Sequence, residues 1–137
     1  MAHTIRRIAY FYTTVKDDPG EAYQLLSRLA GFGINLLGFT AVPVGPQHTQ
    51  LTLIPDETSS ISDLARKTGM LLDGPHPAFL VQGDDELGAL AAIHVKLYEA
   101  GVNVYASSGV ADGRGGYGYI LYVRPEQYER ASAALGL

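Results

Sequence analysis

The stretch Val15-Lys16-Asp17-Asp18-Pro19-Gly20-Glu21 marks a change from strand to helix. Residues 8–14 before it are rich in β-branched and aromatic types, and apolar residues recur after it at helical spacing. Asp18 is a candidate helix cap, Pro19 suits the first helical position, and Glu21 stands where a capping box places an acid. The stretch therefore predicts a strand, a capped turn and a helix.

The chain continues as strands and helices on both sides of this turn. The pattern predicts strands over 5–15, 34–44, 48–54 and 70–72, and helices over 19–30 and 60–67. Gly31-Phe32-Gly33 ends the first helix, since glycine is common at a left-handed helix end. The order β-α-β-β-α-β is that of a ferredoxin-like α+β unit, an antiparallel sheet with its helices on one face.

The same pattern then recurs at a constant spacing along the chain. We call this spacing the repeat offset, and it is the difference in residue number between Gly20 and Gly88. The repeat offset also relates Gly33-Ile34-Asn35-Leu36 to Gly101-Val102-Asn103-Val104. It places the apolar stripe of the first helix on that of a helix predicted over 89–100. A repeat that keeps its glycines, its asparagine and its apolar stripe in register predicts two copies of one structural unit.

We predict two ferredoxin-like repeats, over residues 1–74 and 75–137, with Pro75-His76-Pro77 as the linker. The second repeat ends with a helix over 125–135, which leaves no length for its last strand. One neighbouring position in its sheet is therefore empty or filled from elsewhere. The strands are apolar on both faces whereas two helices cover one face, so we expect a homodimer.

A strand, an Asp-x-Pro-Gly turn, a helix and then Gly-Ile-Asn-Leu resemble the ACT domain. Asp17 to Gly20 and Gly33 to Leu36 carry the resemblance in the first copy. Asp85 to Gly88 and Gly101 to Val104 carry it in the second, where Leu87 replaces the proline. The resemblance covers nearly the whole chain, and it implies a tandem pair of small regulatory domains without a catalytic domain.

The ACT resemblance implies that an amino acid binds at an interface between domains. The ligand would lie between the turn after the first strand of one domain and the start of the second strand of its neighbour. Carried onto this sequence, the ligand-binding residues are Asp17, Asp18, Pro19, Gly20 and Asn35 in the first copy and Asp85, Glu86, Leu87, Gly88 and Asn103 in the second. We expect the first-copy turn, which keeps the proline, to be the better preserved site.

These residue types also suit an amino acid on chemical grounds. The N–H groups at a helix start favour a carboxylate, an aspartate can accept from an ammonium group, and an asparagine can both donate and accept. Structural roles remain open to the same residues. Asp18 can cap the helix, Asp17 can either cap the helix or bind the ligand, and the two asparagines can satisfy local backbone groups.

The composition excludes several other classes of function. The chain of 137 residues has a formal net charge of -4, so it lacks the excess of basic residues that binds nucleic acid or anionic membranes. It has no cysteine, and its four histidines share no metal-ligand spacing, so we predict neither a metal site nor a cofactor. No long apolar run predicts a signal peptide or a membrane span, and a cytoplasmic location is the default expectation.

Three further features have structural as well as functional interpretations. Residues 113–118 fit G-x-G-x-x-G, but they lie between two predicted strands, so we predict a flexible hairpin loop with Arg114 at its tip. His94 replaces Leu26 on the helix stripe, so we expect either a partly buried histidine that is hydrogen-bonded at an interface or a contact to a ligand or the dimer partner. The tyrosines on the strands can pack, line a pocket or form a dimer surface.

The sequence thus predicts a non-catalytic regulatory module that binds a small amino acid. It would signal through its oligomeric state or through a partner, an enzyme or regulator that the sequence does not identify. Two alternatives remain open. One is a ligand-free protein-interaction module of the same fold, and the other is a small acylphosphatase-like enzyme in which Arg6 or Arg7 acts with Asn35.

Overall fold

The computed structural model describes residues 3–137, so residues 1 and 2 of the predicted first repeat lie outside the described residues. The strands are β1 (His3–Lys16), β2 (Leu36–Val44), β3 (His48–Pro55), β4 (Asp73–Asp84), β5 (Val104–Ala111) and β6 (Gly116–Val123). The helices are α1 (Glu21–Gly31), α2 (Thr58–Thr68), α3 (Ala89–Glu99) and α4 (Tyr128–Ala134), with a 3₁₀ turn over Pro125–Gln127 before α4. This is the predicted α+β class with antiparallel ferredoxin-like repeats.

The first of two compact units, called the first unit below, comprises residues 9–76. Its hydrogen-bonded strand order is β2-β3-β1-β4. Leu53 of β3 lies opposite both Phe11 of β1 and Phe39 of β2, so these side chains point to the same face of the sheet. The helices α1 and α2 cover that face, and the buried core consists of Phe11, Leu25, Leu29, Ile34, Leu51, Leu53, Ile61 and Leu64.

The second unit comprises residues 3–8 together with 77–137. Its strand order is β1-β4-β6-β5. Phe79 of β4 lies opposite Leu121 of β6. The repeat offset relates this pair to Phe11 and Leu53, which lie opposite each other in the first unit. The Phe79 ring stacks on Tyr128 of α4 with the centroids 4.6 Å apart. The hydroxyl of Tyr128 donates a hydrogen bond to the carbonyl oxygen of Ala78 at 3.1 Å, so the polar end of this ring is satisfied inside the core.

The long strands β1 and β4 each contribute residues to both units. Residues 3–8 of β1 occupy the sheet position that the sequence left without a strand in the second repeat. Ile5 packs against the core of the second unit, and the Thr4 hydroxyl is 3.5 Å from the carbonyl oxygen of Gln82. The Arg7 guanidinium pairs with Glu129 at 3.5 Å. The missing strand is thus supplied by the beginning of the chain.

Two sequence predictions around β4 are wrong. Residues 70–72 are not a strand, and Pro75-His76-Pro77 is not a linker, because β4 runs continuously over Asp73–Asp84. The two prolines mislead because proline usually interrupts a strand. As residues 3–8 pack with the second unit, the compact units also do not share the boundaries of the predicted repeats 1–74 and 75–137.

The start of α1 also differs from the prediction. Glu21 is the first helical residue of α1. The capping position is Gly20, which has a φ of 89° and no side chain to cap the helix. Asp18 contributes only its carbonyl oxygen, 3.4 Å from the amide nitrogen of Glu21. The predicted Asp18 cap, the capping box and Pro19 as first helical residue are therefore wrong, because the left-handed glycine makes the helix start later in the chain. Gly88 starts α3 in the same way, with a φ of 80°.

Among the described residues, the structure contains no helix that is both long and apolar enough to cross a lipid bilayer.

Candidate functional site

Two turns carry the predicted binding residues, Asp17 to Gly20 after β1 and Asp85 to Gly88 after β4. Each turn is joined by its backbone to the neighbouring hairpin. The amide nitrogen of Asp17 donates to the carbonyl oxygen of Gln47 at 2.9 Å, and that of Asp85 donates to Gly115 at 2.8 Å. The repeat offset relates both the donors and the acceptors of these two bonds, so the two turns are structurally equivalent.

The two predicted asparagines lie at the opposite end of each sheet. In the first unit Lys16, at the end of β1, pairs with His48 of β3, and His48 pairs with Val44 at the end of β2. Asn35 precedes Leu36, which is at the opposite end of β2. The eight steps along β2 correspond to about 26 Å. The second unit repeats this arrangement for Asn103. The turn and the asparagine of one unit therefore do not hold one ligand between them.

The backbone of each asparagine takes part in a local hydrogen bond. The carbonyl oxygen of Asn35 accepts from the amide nitrogen of Asp56 at 3.0 Å. The amide nitrogen of Asn103 donates to the Gln127 side chain at 3.2 Å, and that side chain also donates to the carbonyl oxygen of Gly101 at 3.3 Å. These bonds involve the backbone of each asparagine, so the structural role that the sequence left open for the two side chains stays a prediction.

The turn of the second unit opens into a cleft of about 620 Å³. We call it the α3–β5 cleft, and define it by residues 85–91, 109–111 and 117–118. It lies between the first turn of α3 and the ends of β5 and β6. Its volume is within the range of about 300–1,000 Å³ that is usual for small-molecule sites.

Small residues contribute to the volume of the α3–β5 cleft. The corresponding opening of the first unit is about 400 Å³ and involves only residues 16–18 and 46–48. Five lining positions in the second copy are smaller than their first-copy counterparts: Ala89, Ala91, Gly109, Ala111 and Gly118 stand where the first copy has Glu21, Tyr23, Ala41, Pro43 and Gln50. The smaller side chains at these five positions contribute to the space between helix and sheet.

The polar end of the cleft is acidic. Asp85 and Glu86 line it, and no lysine or arginine is among its lining residues, all of which the structure describes. Burial, and then the negative charges of Asp84 and Glu86, raise the pKa of the Tyr117 phenol above its usual value. Tyr117 therefore stays protonated at neutral pH, as a hydrogen-bond donor in a region of negative potential.

The walls of the cleft are apolar, and a histidine–tyrosine pair lies next to its lining residues Leu90 and Gly109. Leu90 of α3 and Ala111 of β5 form the walls. His94 is half-buried, and its Nε2 lies 2.6 Å from the hydroxyl of the buried Tyr119. The expected partial burial and hydrogen bond of His94 are confirmed, and its place at an interface stays a prediction. Sequence reasoning did not foresee that its partner would be Tyr119.

The glycine-rich segment forms the hairpin between β5 and β6. Asp112 accepts hydrogen bonds from the amide nitrogens of Arg114 at 2.6 Å and Gly116 at 3.1 Å, and these bonds lower the pKa of its carboxyl group. The predicted hairpin is confirmed, but it has an internal hydrogen-bonded frame instead of being a simple flexible loop. An aspartate at the start of a glycine-rich turn is a signal that could have revealed this frame.

A second aromatic group lies in the first unit, away from the predicted turns. The His76 ring stacks on Tyr12 and also contacts Tyr10, with both centroid distances 5.2 Å. Hydrogen bonds from Tyr12 and then His76 lower the pKa of Asp73, whose carboxylate oxygen is 2.9 Å from His76 Nε2. These strand tyrosines pack against histidine. Within residues 3–137 no group of side chains has the composition of a metal site.

Several solved structures are similar to this chain. BT0572 from Bacteroides thetaiotaomicron is 13% identical, with a TM-score of 0.81 over 96% of this chain and 88% of that one. The regulatory subunit of aspartate kinase from Thermus thermophilus, in its ligand-free form, is 15% identical, with a TM-score of 0.63 over 97% and 93%. The aspartokinase alpha and beta subunits are 18% identical, with a TM-score of 0.59 over 98% and 95%.

No protein-family model and no curated protein sequence matches the chain. The structural likeness therefore stands on geometry, and at these identities it shows an ACT-like fold. The similarity extends over nearly the full length of both chains in each of the three comparisons.

Proposed function

We propose that the protein is a non-catalytic regulatory module that binds a small amino acid in the α3–β5 cleft. The observation that carries this proposal is the cleft of about 620 Å³ at the turn Asp85 to Gly88. The ACT-like fold and the names of two structural neighbours, regulatory subunits or domains of aspartate kinase, support a regulatory role.

The chemistry of the cleft supports a ligand of defined class. The α-ammonium group lies toward Asp85 and Glu86, and the α-carboxylate meets the N–H groups of Leu90 and Ala91 in the first turn of α3, since that of Ala89 donates to Glu86. An apolar side chain then packs against Leu90 and Ala111. Acidic amino acids are disfavoured, because the cleft supplies two carboxylates and its lining holds no lysine or arginine.

The first-copy turn, Asp17 to Gly20, remains the secondary site of this proposal. Its opening is smaller and is lined largely by polar residues. Since Asn35 and Asn103 lie far from the turn of their own unit, we propose that either asparagine reaches a ligand from a second copy of the protein. Ligand binding would then favour the homodimer in which that interface is closed, and the output would be the oligomeric state or a bound partner.

The test is thermal unfolding of the protein against the twenty amino acids at millimolar concentration. A ligand at 100 times its Kd adds about 2.7 kcal/mol to the free energy of unfolding, which raises the midpoint visibly. We expect selective stabilisation by one or a few neutral amino acids with short apolar side chains. Asp85→Asn abolishes the effect, and Asp17→Asn, the matched control at the equivalent position of the first copy, leaves it intact.

A ligand-free interaction module is the second candidate function. The observation in its favour is the exposure of Leu87, Tyr98 and Val110, three large apolar or aromatic side chains of the second unit. A flat amino-acid panel with cooperative unfolding would favour it. The acylphosphatase-like alternative is less well supported, because Arg7 pairs with Glu129 and lies over the Tyr128 ring at 5.7 Å.

A further inference from the structure

The inner end of the α3–β5 cleft is formed by two successive layers of paired residues. Tyr117 of β6 lies opposite Ala111 of β5, and Tyr119 lies opposite Gly109, so each layer pairs a tyrosine with a small residue. Tyr117, Ala111 and Gly109 line the cleft. Tyr119 belongs to the buried core of the second unit. The open space therefore ends at the layer that contains Tyr119.

Tyr119 and His94 close this layer together. A Cβ atom on Gly109 would lie 2.7 Å from Cδ1 of Tyr119, so the ring occupies the space above that glycine. The Tyr119 hydroxyl is 2.6 Å from Nε2 of His94. His94 follows the wall residue Leu90 by four positions, so it lies one turn further along the same face of α3. Ring and imidazole thus connect sheet to helix at the end of the cleft.

The first copy has a different set of residues at the same three positions. It has Leu26, Ala41 and Leu51 where the second copy has His94, Gly109 and Tyr119. The alanine Cβ would collide with a tyrosine in this position, so the glycine and the tyrosine occur together. A half-buried polar pair requires desolvation that two leucines avoid. The three changes coincide with the copy that has the larger cleft.

We infer that His94 and Tyr119 determine the specificity of the cleft by limiting the length of the ligand side chain. This inference rests on the proposed function. The hydrogen bond holds the Tyr119 ring across the inner end, so a side chain that extends beyond the Tyr117 layer meets a fixed wall. Replacing the pair by the first-copy leucines removes ring volume and the hydrogen bond, and the cleft becomes longer.

The first experiment compares ligand preference in wild type and in the double variant His94→Leu/Tyr119→Leu. Titration calorimetry with alanine, valine, leucine and methionine measures relative affinity for side chains of increasing length. We expect the double variant to shift the preference toward the longer side chains by about tenfold, the order of magnitude for one methylene in an apolar pocket. His94→Gln keeps a hydrogen-bonding group and retains the wild-type order. An unchanged order in the double variant overturns the inference.

The second experiment measures the length of the cleft without an amino-acid ligand. The chain has no cysteine, so Ala111→Cys supplies a single thiol inside the cleft. Alkyl methanethiosulfonates from methyl to hexyl attach tails of increasing length, and the unfolding midpoint is recorded for each adduct. We expect the midpoint to fall once the tail reaches the wall. Ser108→Cys, the neighbouring strand position on the opposite face from Gly109, is the control and shows no such threshold.

The two experiments separate failure of the inference from failure of the proposed function. In the double variant the threshold is expected at a tail longer by at least two methylenes, and a threshold that does not move overturns the inference. If the tail-length threshold moves in the double variant although no amino acid binds the wild type, the proposed function is wrong. The inference that His94 and Tyr119 limit the length of the cleft is then still supported. Tyr119→Leu alone is measured in the same way if the double variant does not fold.

Discussion

The amide nitrogen of Asp85 lies 2.8 Å from the carbonyl oxygen of Gly115, so the backbone ties the candidate binding turn to the β5–β6 hairpin. Asp112 in turn braces this hairpin by accepting from two of its amide nitrogens. The first copy has Val44 at the position of Asp112. The turn that faces the larger cleft is therefore supported by a carboxylate that the other copy lacks.

Replacing Asp112 with alanine is expected to lower the unfolding midpoint at neutral pH, because the amides of Arg114 and Gly116 lose their acceptor. The folded pKa of Asp112 is lowered, so its contribution is present above the pKa of the unfolded chain, about 3.9, and is lost as pH falls through the folded pKa. The difference between wild type and Asp112→Ala should therefore shrink below about pH 4. Thermal unfolding from pH 7 to pH 2.5 checks this. A constant difference across that range would contradict the role of the carboxylate, and Asp112→Asn, a neutral acceptor, is the control.

Gly74→Ala is expected to destabilise the first unit strongly. An added Cβ would lie 2.7 Å from Cδ2 of Phe11 and 2.8 Å from the carbonyl oxygen of Tyr10, and the φ of 150° disfavours other residues. The backbone oxygen cannot move aside without disturbing β1, so we expect a loss of about 3 kcal/mol. Denaturant titration gives the free energy of unfolding. Gly45→Ala is the control with a positive φ of 70° in open space, and should cost about 1 kcal/mol. Equal losses at the two positions would refute the steric explanation.

Ile5→Ala tests whether the beginning of the chain supports the second unit. Ile5 is half-buried against the core of that unit, so its truncation should cost about 1–2 kcal/mol. Hydrogen exchange should show loss of protection first in residues 77–137, around Phe79 and Leu121. Ile5→Val removes a smaller volume and should give a proportionately smaller effect. Loss of protection that begins in residues 9–76 instead would show that Ile5 does not act through this core.

Ser132→Ala is expected to raise stability. Ser132 is buried in α4, and its hydroxyl is a buried side-chain group without a hydrogen-bond partner in the described structure. Removing it relieves the cost of an unsatisfied polar group, about 1 kcal/mol. Ser27→Ala, at an exposed position inside α1, measures the share due to helix propensity alone. A gain at Ser132 no larger than the gain at Ser27 would mean that the hydroxyl carries no burial cost.

Part of the candidate site could be predicted from the sequence. The turn Asp85 to Gly88 was identified because an apolar strand, an acidic turn with glycine and a helical stripe are local signals. The roles of Tyr117, Tyr119 and Gly109 were missed, because each depends on the residue opposite it in another strand. The aspartate cap at Asp18 was predicted wrongly, because Gly20 adopts a left-handed conformation that spacing does not reveal.

By itself the sequence determined the four helical regions and the repeat offset from Gly20 to Gly88, because periodicity, glycines and the apolar stripes act over short distances along the chain. The tertiary structure alone decided that residues 3–8 complete the sheet of the second unit, and that β4 runs through Pro75 and Pro77. It alone also decided which copy has the larger cleft. Strand pairing joins residues far apart in the chain, and a cleft is the volume left between several elements at once.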